Sequence, residues 1–155
     1  MKYHTHISMN KIKIIILLLL CISCNKKSEI KSVFIANKND YWQCKDYCYP
    51  TSGSTYFQFK ENGIYDRYLR SYVGFDLFNN DGDLESGPRP WSIKNDSTFV
   101  MGKGIYKIEK ITNKEIILSY YHYKIKEKKC YVRLSKWVNT PKGPKLLNQQ
   151  DTIKK

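Results

Sequence analysis

The chain has 155 residues, a length that suits one domain with a modest hydrophobic core. Its 27 Lys and Arg residues against 14 Asp and Glu residues give a formal net charge of +13 at pH 7. Only three histidines are present, and His122 is the only one beyond residue 6. Catalytic triads built on a histidine base and histidine-rich metal sites therefore have little support.

An export signal is predicted at the N-terminus. Residues 11–22 run from a lysine pair into nine consecutive apolar residues, and a small residue, Ser23, comes directly before Cys24. A basic region, a short hydrophobic run and a small-residue cleavage site predict a secretory signal peptide over residues 1–23. Nine apolar residues are too few for a membrane span, which needs about 20.

The position of Cys24 resembles the lipobox of bacterial lipoproteins, in which the cysteine after the cleavage site becomes the lipidated first residue. The resemblance implies acyl chains such as palmitate on Cys24. It also implies a location in the cell envelope, anchored to a membrane. Lys26 and Lys27 follow Cys24 without an acidic run, which disfavours a surface-export signal and favours the outer membrane facing the periplasm. A plain secretory signal is the alternative, because the position three before the cysteine, usually leucine, is Cys21. Met1 and Met9 both remain possible starts of translation.

Cleavage at this site leaves 132 residues, which the composition divides into three parts. Residues 24–39 are predicted to form a polar tether whose apolar segment, residues 33–35, packs on the domain as a short element. Residues 40–138 form the predicted folded domain, and residues 139–155 a basic, disordered tail. Residues 124–155 carry ten basic residues against two acidic ones, so the excess positive charge is concentrated near the C-terminus.

This basic C-terminal region suits contact with anionic lipid head groups, where each Lys or Arg near the surface is worth about 1 kcal/mol. Nucleic acid is the usual partner of so basic a cytosolic protein, but the predicted export argues against it. A solvated, lysine-rich surface without a partner is the simpler alternative.

Residues 40–138 carry the pattern of an all-β protein. Tyr, Trp, Phe and Ile dominate, turn residues recur about every eight to twelve positions, and no segment keeps a helical period. The Asn62-Gly63 pair between two apolar runs is a strong hairpin signal. The predicted strands are Tyr41–Cys48, Thr55–Lys60, Ile64–Val73, Phe75–Phe78, Trp91–Lys94, Thr98–Met101, Gly104–Ile111, Glu115–Tyr123 and Lys129–Lys136.

Short turns between so many strands predict an antiparallel up-and-down meander of about eight strands that closes into a barrel, because closure removes the sheet edges. Within the strands, apolar residues alternate with charged ones such as Arg67, Lys94, Lys107 and Arg133. One apolar face and one polar face are what a small barrel requires.

The lipobox and the polar tether are followed by Trp42 in the first strand and by a strand–Asn-Gly–strand unit over residues 56–65. Trp91 and the segments 104–108 and 115–118 complete a pattern that resembles the lipocalin-like lipoproteins of the Bacteroidetes type. The resemblance implies a lipocalin-like barrel in the cell envelope, and it implies little about chemistry.

Three cysteines of the predicted domain, Cys44, Cys48 and Cys130, are candidates for a disulfide. An oxidising compartment favours one bridge, and the odd count leaves one thiol over. In a closed barrel the first and last strands are neighbours, so Cys130 is expected to pair with Cys44 or Cys48. Those two lie about 13 Å apart on one strand and cannot pair with each other. Three reduced thiols are the alternative.

No arrangement of catalytic residues stands out, and the protein is predicted not to be an enzyme. His122 lies among tyrosines on a predicted strand, where packing or exposure is expected rather than catalysis. Asp81, Asp83 and Glu85 crowd one loop instead of facing one another across a cleft. That loop also departs from the EF-hand spacing, so a solvated turn is expected there rather than a calcium site. No metal and no cofactor are predicted.

Twelve tyrosines follow the predicted cleavage site. Tyrosine is large, rigid and polar at its tip, so inward tyrosines could line a ligand pocket and outward ones could stack on a glycan. The leading hypothesis is a lipid-anchored barrel that binds a small apolar or amphipathic ligand in its mouth. The ligand-binding candidates are Trp42, Tyr56, Trp91, Tyr106 and Tyr120. The alternative is an envelope interaction protein, such as an inhibitor, immunity or assembly factor, whose barrel is filled by its own side chains.

Overall fold

The structure of the protein is a computed structural model that describes residues 28–49, 55–78 and 89–147. These residues form ten β-strands and one short helix over residues 28–34. Neighbouring strands are antiparallel throughout, and the all-β prediction is confirmed.

The strands of the sheet follow the predicted ones closely. Their bounds are β1 (Asp40–Asp46), β2 (Thr55–Phe59), β3 (Tyr65–Arg70), β4 (Phe75–Leu77), β5 (Trp91–Asn95), β6 (Thr98–Met101), β7 (Gly104–Ile111), β8 (Glu115–Tyr121), β9 (Lys129–Thr140) and β10 (Gly143–Leu146). The order in the sheet is β4-β3-β2-β1-β9-β8-β7-β6-β5, and β10 pairs with β9. The nine predicted strands correspond to β1–β9, and β10 is additional.

The meander curls into a half-barrel of the lipocalin-like type. Seven residue pairs join β1 to β9, as closure predicts for the first and last strands of the meander. The two edges of the sheet approach each other at an isolated bridge between Ile64, just before β3, and Pro90, just before β5. Beside this bridge the Trp91 N–H donates to the Gly63 carbonyl at 2.7 Å.

The β2–β3 hairpin turns at Asn62-Gly63, as predicted. Gly63 has a φ of 81°, in the left-handed region that glycine adopts without steric cost. The Lys60 N–H donates to the Ile64 carbonyl at 2.9 Å, and the Ile64 N–H donates to Asn62 Oδ1 at 3.1 Å. The turn therefore sets the register of β2 against β3 and holds Ile64 where it forms the bridge.

The interior of the half-barrel is built from the apolar face that alternation predicts. Lys94, Lys107 and Arg133, on three of the same strands, are exposed. The buried apolar core consists of Ile30, Phe34, Trp42, Cys44, Phe57, Phe59, Trp91, Ile93, Phe99, Ile116, Leu118, Val132 and Leu134.

The N-terminal helix fills one end of the barrel, called here the helix end. Phe34 is completely buried, its ring stacks on Phe99 with centroids 4.4 Å apart, and it packs edge-on against Phe59 at 5.7 Å. Ile30, one turn earlier, is also buried. A packed element was expected only at residues 33–35. The packed segment begins instead at residue 28, so the helix belongs to the domain and not to a tether.

The C-terminal part of the sheet extends further than the sequence predicts. Residues 139–147, assigned above to a disordered tail, complete β9, turn back and form β10. The Thr140 hydroxyl donates to the Gly143 carbonyl at 2.8 Å, and Gly143 adopts a φ of 95°. The Pro-Lys-Gly-Pro sequence at 141–144 thus makes a hairpin turn instead of opening a tail.

Several predicted features lie outside the described residues: the signal peptide, Cys24, and the loop that contains Asp81, Asp83 and Glu85. In the described ranges, no helix combines the length and the apolar character needed to cross a membrane.

Candidate functional site

The five aromatic ligand-binding candidates lie in three separate places. Trp42 and Trp91 belong to the filled core, where they are 0% and 3% exposed. The Trp42 indole N–H donates to the Phe34 carbonyl at 3.0 Å, and that of Trp91 donates to the Lys60 carbonyl at 2.9 Å. Each indole thus has its only polar atom bound to the backbone, which is a packing role.

A buried lysine closes the core at the helix end. Lys136 Nζ lies 4.7 Å from the centroid of the Trp42 ring and 3.8 Å from Asp40 Oδ2. Burial lowers the pKa of Lys136, and the Asp40 carboxylate opposes that shift. The indole face and the carboxylate together offset part of the cost of burying this charge.

Tyr56 lies on the outer face of β2 and not in the barrel interior. Phe75 of β4 and Trp137 of β9 pack against it, with ring centroids 4.9 Å and 5.8 Å away. Gln43 Nε2 donates to the Tyr56 hydroxyl at 3.2 Å. Tyr56 therefore belongs to a second, outer aromatic cluster, which the face assignment from alternation did not predict. Its members are Tyr41, Tyr56, Tyr68, Phe75 and Trp137.

Tyr106 and Tyr120 lie together in the barrel, toward the end opposite the helix. Their ring centroids are 5.6 Å apart, and the Tyr120 hydroxyl donates to Asp46 Oδ2 at 2.7 Å. Burial raises the pKa of Tyr106 to about 12. Burial and the Asp46 carboxylate raise the pKa of Tyr120. Both phenols stay protonated at neutral pH and are hydrogen-bond donors, not bases.

Cys48 and Cys130 form the disulfide, with their Cα atoms 5.7 Å apart. Cys130 was expected to pair with Cys44 or Cys48, and its partner is Cys48, which lies just beyond the end of β1. Among the described cysteines, Cys44 is the free thiol, and it is buried opposite Leu134 of β9. Burial, with a smaller contribution from Asp46, raises the pKa of Cys44 to about 12, which makes it a poor nucleophile at neutral pH.

The end of the barrel that holds the disulfide, called here the disulfide end, carries exposed aromatic and basic side chains. Its five tyrosines are between 39% and 72% exposed. A cluster of large exposed side chains is typical of an interaction surface. The tyrosine–lysine face, as we name it, consists of Lys45, Tyr47, Tyr49, Tyr121, His122, Tyr123, Lys124, Lys126, Lys128, Lys129, Tyr131 and Arg133.

The disulfide joins the two chain segments that make this face. Cys48 stands between Tyr47 and Tyr49, and Cys130 precedes Tyr131. The Tyr47 N–H donates to the Tyr131 carbonyl at 3.0 Å. The bridge spans 82 residues, so tyrosines that are distant in sequence are held side by side.

His122 organises the loop between β8 and β9. Its Nδ1 accepts from the N–H groups of Lys124 and Ile125, both at 3.2 Å. The neutral ring then carries its proton on Nε2, which lies 2.9 Å from the Tyr49 hydroxyl oxygen. The ring stacks on Tyr49 and on Tyr123 with centroids 5.5 Å and 5.2 Å away. Because both nitrogens are engaged, His122 acts as a structural residue of the face.

Positive charges lie directly beside the tyrosine rings of the face. Each such exposed cation–π contact is worth about 0.5–1 kcal/mol. Residues 121–133 contain five Lys or Arg residues and one acid, Glu127. The cation–ring pairs are Lys45 with Tyr47 at 5.3 Å, Lys124 with Tyr123 at 5.5 Å and Lys129 with Tyr131 at 5.4 Å.

Glu109 of β7 fixes the edge of the face by binding Lys129. Its Oε1 accepts from Lys129 Nζ and from the Ser119 hydroxyl, both at 2.7 Å. Its Oε2 accepts from Lys107 Nζ at 3.2 Å. These hydrogen bonds, that of Lys129 above all, lower the pKa of the Glu109 carboxyl to about 2.

We expect Glu109→Gln to reduce the acid sensitivity of the fold. The carboxylate stabilises the native state fully above its ordinary pKa of 4.5, and this stabilisation is lost as the pH falls toward about 2. Lowering the pH from about 7 to about 3 should therefore reduce the free energy of unfolding more in the wild type than in Glu109→Gln. Urea unfolding at the two pH values measures both losses. Glu127→Gln, which removes an exposed carboxylate, should follow the wild type. Equal acid losses in Glu109→Gln and the wild type would contradict the assignment.

Cavities flank the N-terminal helix and the start of β8. The larger, about 370 Å³, separates the N-terminal helix from β7 and is lined by Ile30, Val33, Ile108 and Ile111 with acidic and basic groups around them. The smaller, about 200 Å³, is a polar cleft between the start of β8 and the end of β10. None of the five aromatic candidates lines either cavity. Over the described ranges, no His, Cys, Asp and Glu side chains are grouped to hold a metal ion.

Comparison with known proteins leaves the family open. No protein-family model matches the chain, and no curated protein matches it. The likeness to lipocalin-like lipoproteins therefore rests on the sequence pattern, and the functional assignments that it implies enter below as proposals.

Proposed function

We propose that the protein is an exported, lipid-anchored, non-catalytic interaction protein of the cell envelope that binds its partner through the tyrosine–lysine face. The single observation that carries this proposal is the filled core. Phe34 occupies the helix end of the barrel and contacts Phe59, Trp91 and Phe99. An interior packed in this way leaves the outer surface as the place for recognition.

The exposed chemistry of the face supports the same proposal. Tyrosine and arginine are enriched where proteins bind partners, because each combines contact area with a polar group. The face also carries an excess of positive charge, which attracts an acidic partner and speeds association. The disulfide and the His122 contacts hold this surface in one conformation before binding, which reduces the entropy cost of complex formation.

The lipid anchor is proposed from the sequence around Cys24. This cysteine follows the predicted cleavage site and stands four residues before the helix at residue 28. Acylation there would fix the protein to a bacterial membrane, and we place it on the outer membrane facing the periplasm.

A small amphipathic ligand in the mouth of the barrel is a second candidate function. Met101, Tyr106 and Tyr120 are only half-buried near the disulfide end, and the Asp46 carboxylate lies beside them. Because Trp42 and the core around it fill the helix end, such a ligand would bind in a shallow site.

Mass spectrometry of the protein gently extracted from its own membrane separates these functions. The proposal predicts a mature chain that begins at an acylated Cys24 and carries no small molecule that leaves on denaturation. A co-purified small molecule released on denaturation would favour the ligand in the barrel mouth. A mature chain without acyl groups would overturn the anchor.

A further inference from the structure

The proposed anchor and the tyrosine–lysine face lie at opposite ends of the barrel, a geometry that rests on the proposed function. Cys24 lies four residue steps before the start of the helix at residue 28, which can span at most about 14 Å. The helix packs at the helix end, where Lys31 Nζ donates to the Glu61 carbonyl in the β2–β3 turn at 3.1 Å. From there β1 runs about 20 Å toward the disulfide end. An anchor at Cys24 would therefore attach the molecule by the end opposite the face.

The chemistry of the face defines what it can bind. Tyr121 and Tyr123 expose 68% and 72% of their surface, so flat aromatic rings are open to solvent. Lysines 124, 126, 128 and 129 are all exposed around them. A partner that fits carries negative charges at repeated intervals and flat, partly apolar groups between them.

We propose that the tyrosine–lysine face binds an anionic polysaccharide, a polymer of sugar rings that carry carboxylate or phosphate groups. Tyrosine rings pack against the apolar C–H faces of pyranose rings, while their hydroxyls hydrogen-bond to sugar hydroxyls. Lys124, Lys126 and Lys128, which are all exposed, bind the acidic groups through charge-assisted hydrogen bonds. Because rings and cations lie side by side along β9 and the β8–β9 loop, a linear polymer contacts several of them at once.

Other partners fit this surface less well. Anionic lipid of the anchoring membrane lies at the opposite end of the barrel. Nucleic acid is disfavoured by the predicted export. An acidic protein would supply the charge but not the sugar rings, and the comparison with poly-L-glutamate below distinguishes it from a polysaccharide.

Binding of the full mature protein to three soluble polymers tests the proposal. Polygalacturonate carries both sugar rings and charge, poly-L-glutamate carries charge alone, and dextran carries rings alone. We expect polygalacturonate to bind about tenfold or more tightly than poly-L-glutamate, because stacking of its rings on the tyrosines adds binding energy on that scale. Dextran should bind weakest, and salt should weaken polygalacturonate binding because ion pairs are screened.

Matched variants assign the binding to the face. Tyr123→Ser together with Tyr131→Ser should lower affinity for polygalacturonate by about tenfold and leave the weaker poly-L-glutamate binding unchanged. Tyr72→Ser is the control, because Tyr72 is fully exposed at the β3–β4 turn, away from the face. Lys124→Gln with Lys126→Gln should weaken binding to both polyanions, whereas Lys94→Gln, in β5, should not.

Two results would overturn the inference. Equal affinity for polygalacturonate and poly-L-glutamate, unchanged in the tyrosine variant, would indicate general attraction to acidic polymers such as an acidic protein. Absence of binding to polygalacturonate would exclude the polysaccharide. Neither result would overturn the interaction protein itself, which fails if a small molecule is found bound in the barrel.

Discussion

Phe34→Ala is expected to lower the free energy of unfolding by about 3–5 kcal/mol, the cost of deleting a buried phenylalanine ring. The ring is completely buried and touches three aromatic side chains of three different strands, Phe59, Trp91 and Phe99. Small domains are stable by only about 5–15 kcal/mol, so the variant should be close to unfolding at physiological temperature. Urea unfolding followed by tryptophan fluorescence measures the loss.

Tyr72→Ala is the matched control for this substitution. It also deletes an aromatic ring, but Tyr72 is 100% exposed, so the change should stay within about 0.5 kcal/mol. If Phe34→Ala were as stable as Tyr72→Ala, the helix would not fill the barrel, and the argument for an outer binding surface would lose its basis.

Removal of the disulfide is expected to cost about 4.5 kcal/mol in the chain-entropy model, because the bridge closes a long loop. Cys48 and Cys130 are separated by 82 residues, and both ends of the loop lie in the tyrosine–lysine face. We expect Cys48→Ser with Cys130→Ser to lower the melting temperature strongly. The same variant should weaken polygalacturonate binding, since Tyr47 and Tyr49 are no longer held beside β9.

Cys44→Ala is the control for the disulfide variant. It removes a buried cysteine without cutting a cross-link and should cost about 1 kcal/mol, a typical value for one substitution. A reducing agent should lower the melting temperature of the wild type and of Cys44→Ala equally, and should leave the double variant unchanged. A wild type insensitive to reduction would show that the bridge does not stabilise the fold.

Local sequence patterns were sufficient to predict most of the sheet. Alternation placed Phe57, Phe59, Ile116 and Leu118 inside, and all four are buried. The Asn62-Gly63 signal placed a hairpin correctly, because a tight turn depends on a few adjacent residues. The first and last strands of a closing meander must be neighbours, so the pairing of Cys130 with the first strand also followed from topology.

Features that depend on tertiary contacts were not predictable in the same way. The helix at residues 28–34 is too short to show a periodic pattern, and its core role is visible only from the aromatic rings around Phe34. Alternation did not predict the outer aromatic cluster that contains Tyr41 and Tyr56. Both rings are buried against Phe75 of β4, and alternation within one strand cannot reveal a contact with another strand.

The candidate site was the least predictable part of the molecule. Its tyrosines were visible in the sequence, but the segments 47–49 and 121–131 meet only through the pairing of β1 with β9 and through the disulfide. The five aromatic candidates were selected for a single pocket. They do not share one pocket, because Trp42 and Trp91 are buried in the core and Tyr56 is buried in the outer cluster.

The most direct test of an outer rather than an interior binding site is an NMR titration of the mature protein with polygalacturonate. The chain has three tryptophans, and the indole N–H groups of Trp42 and Trp91 report on the barrel interior. We predict that amide signals of residues 47–49 and 121–131 shift while these two indole signals stay in place. Shifts of the Trp42 and Trp91 indoles and of Tyr106, with the face unchanged, would contradict the account.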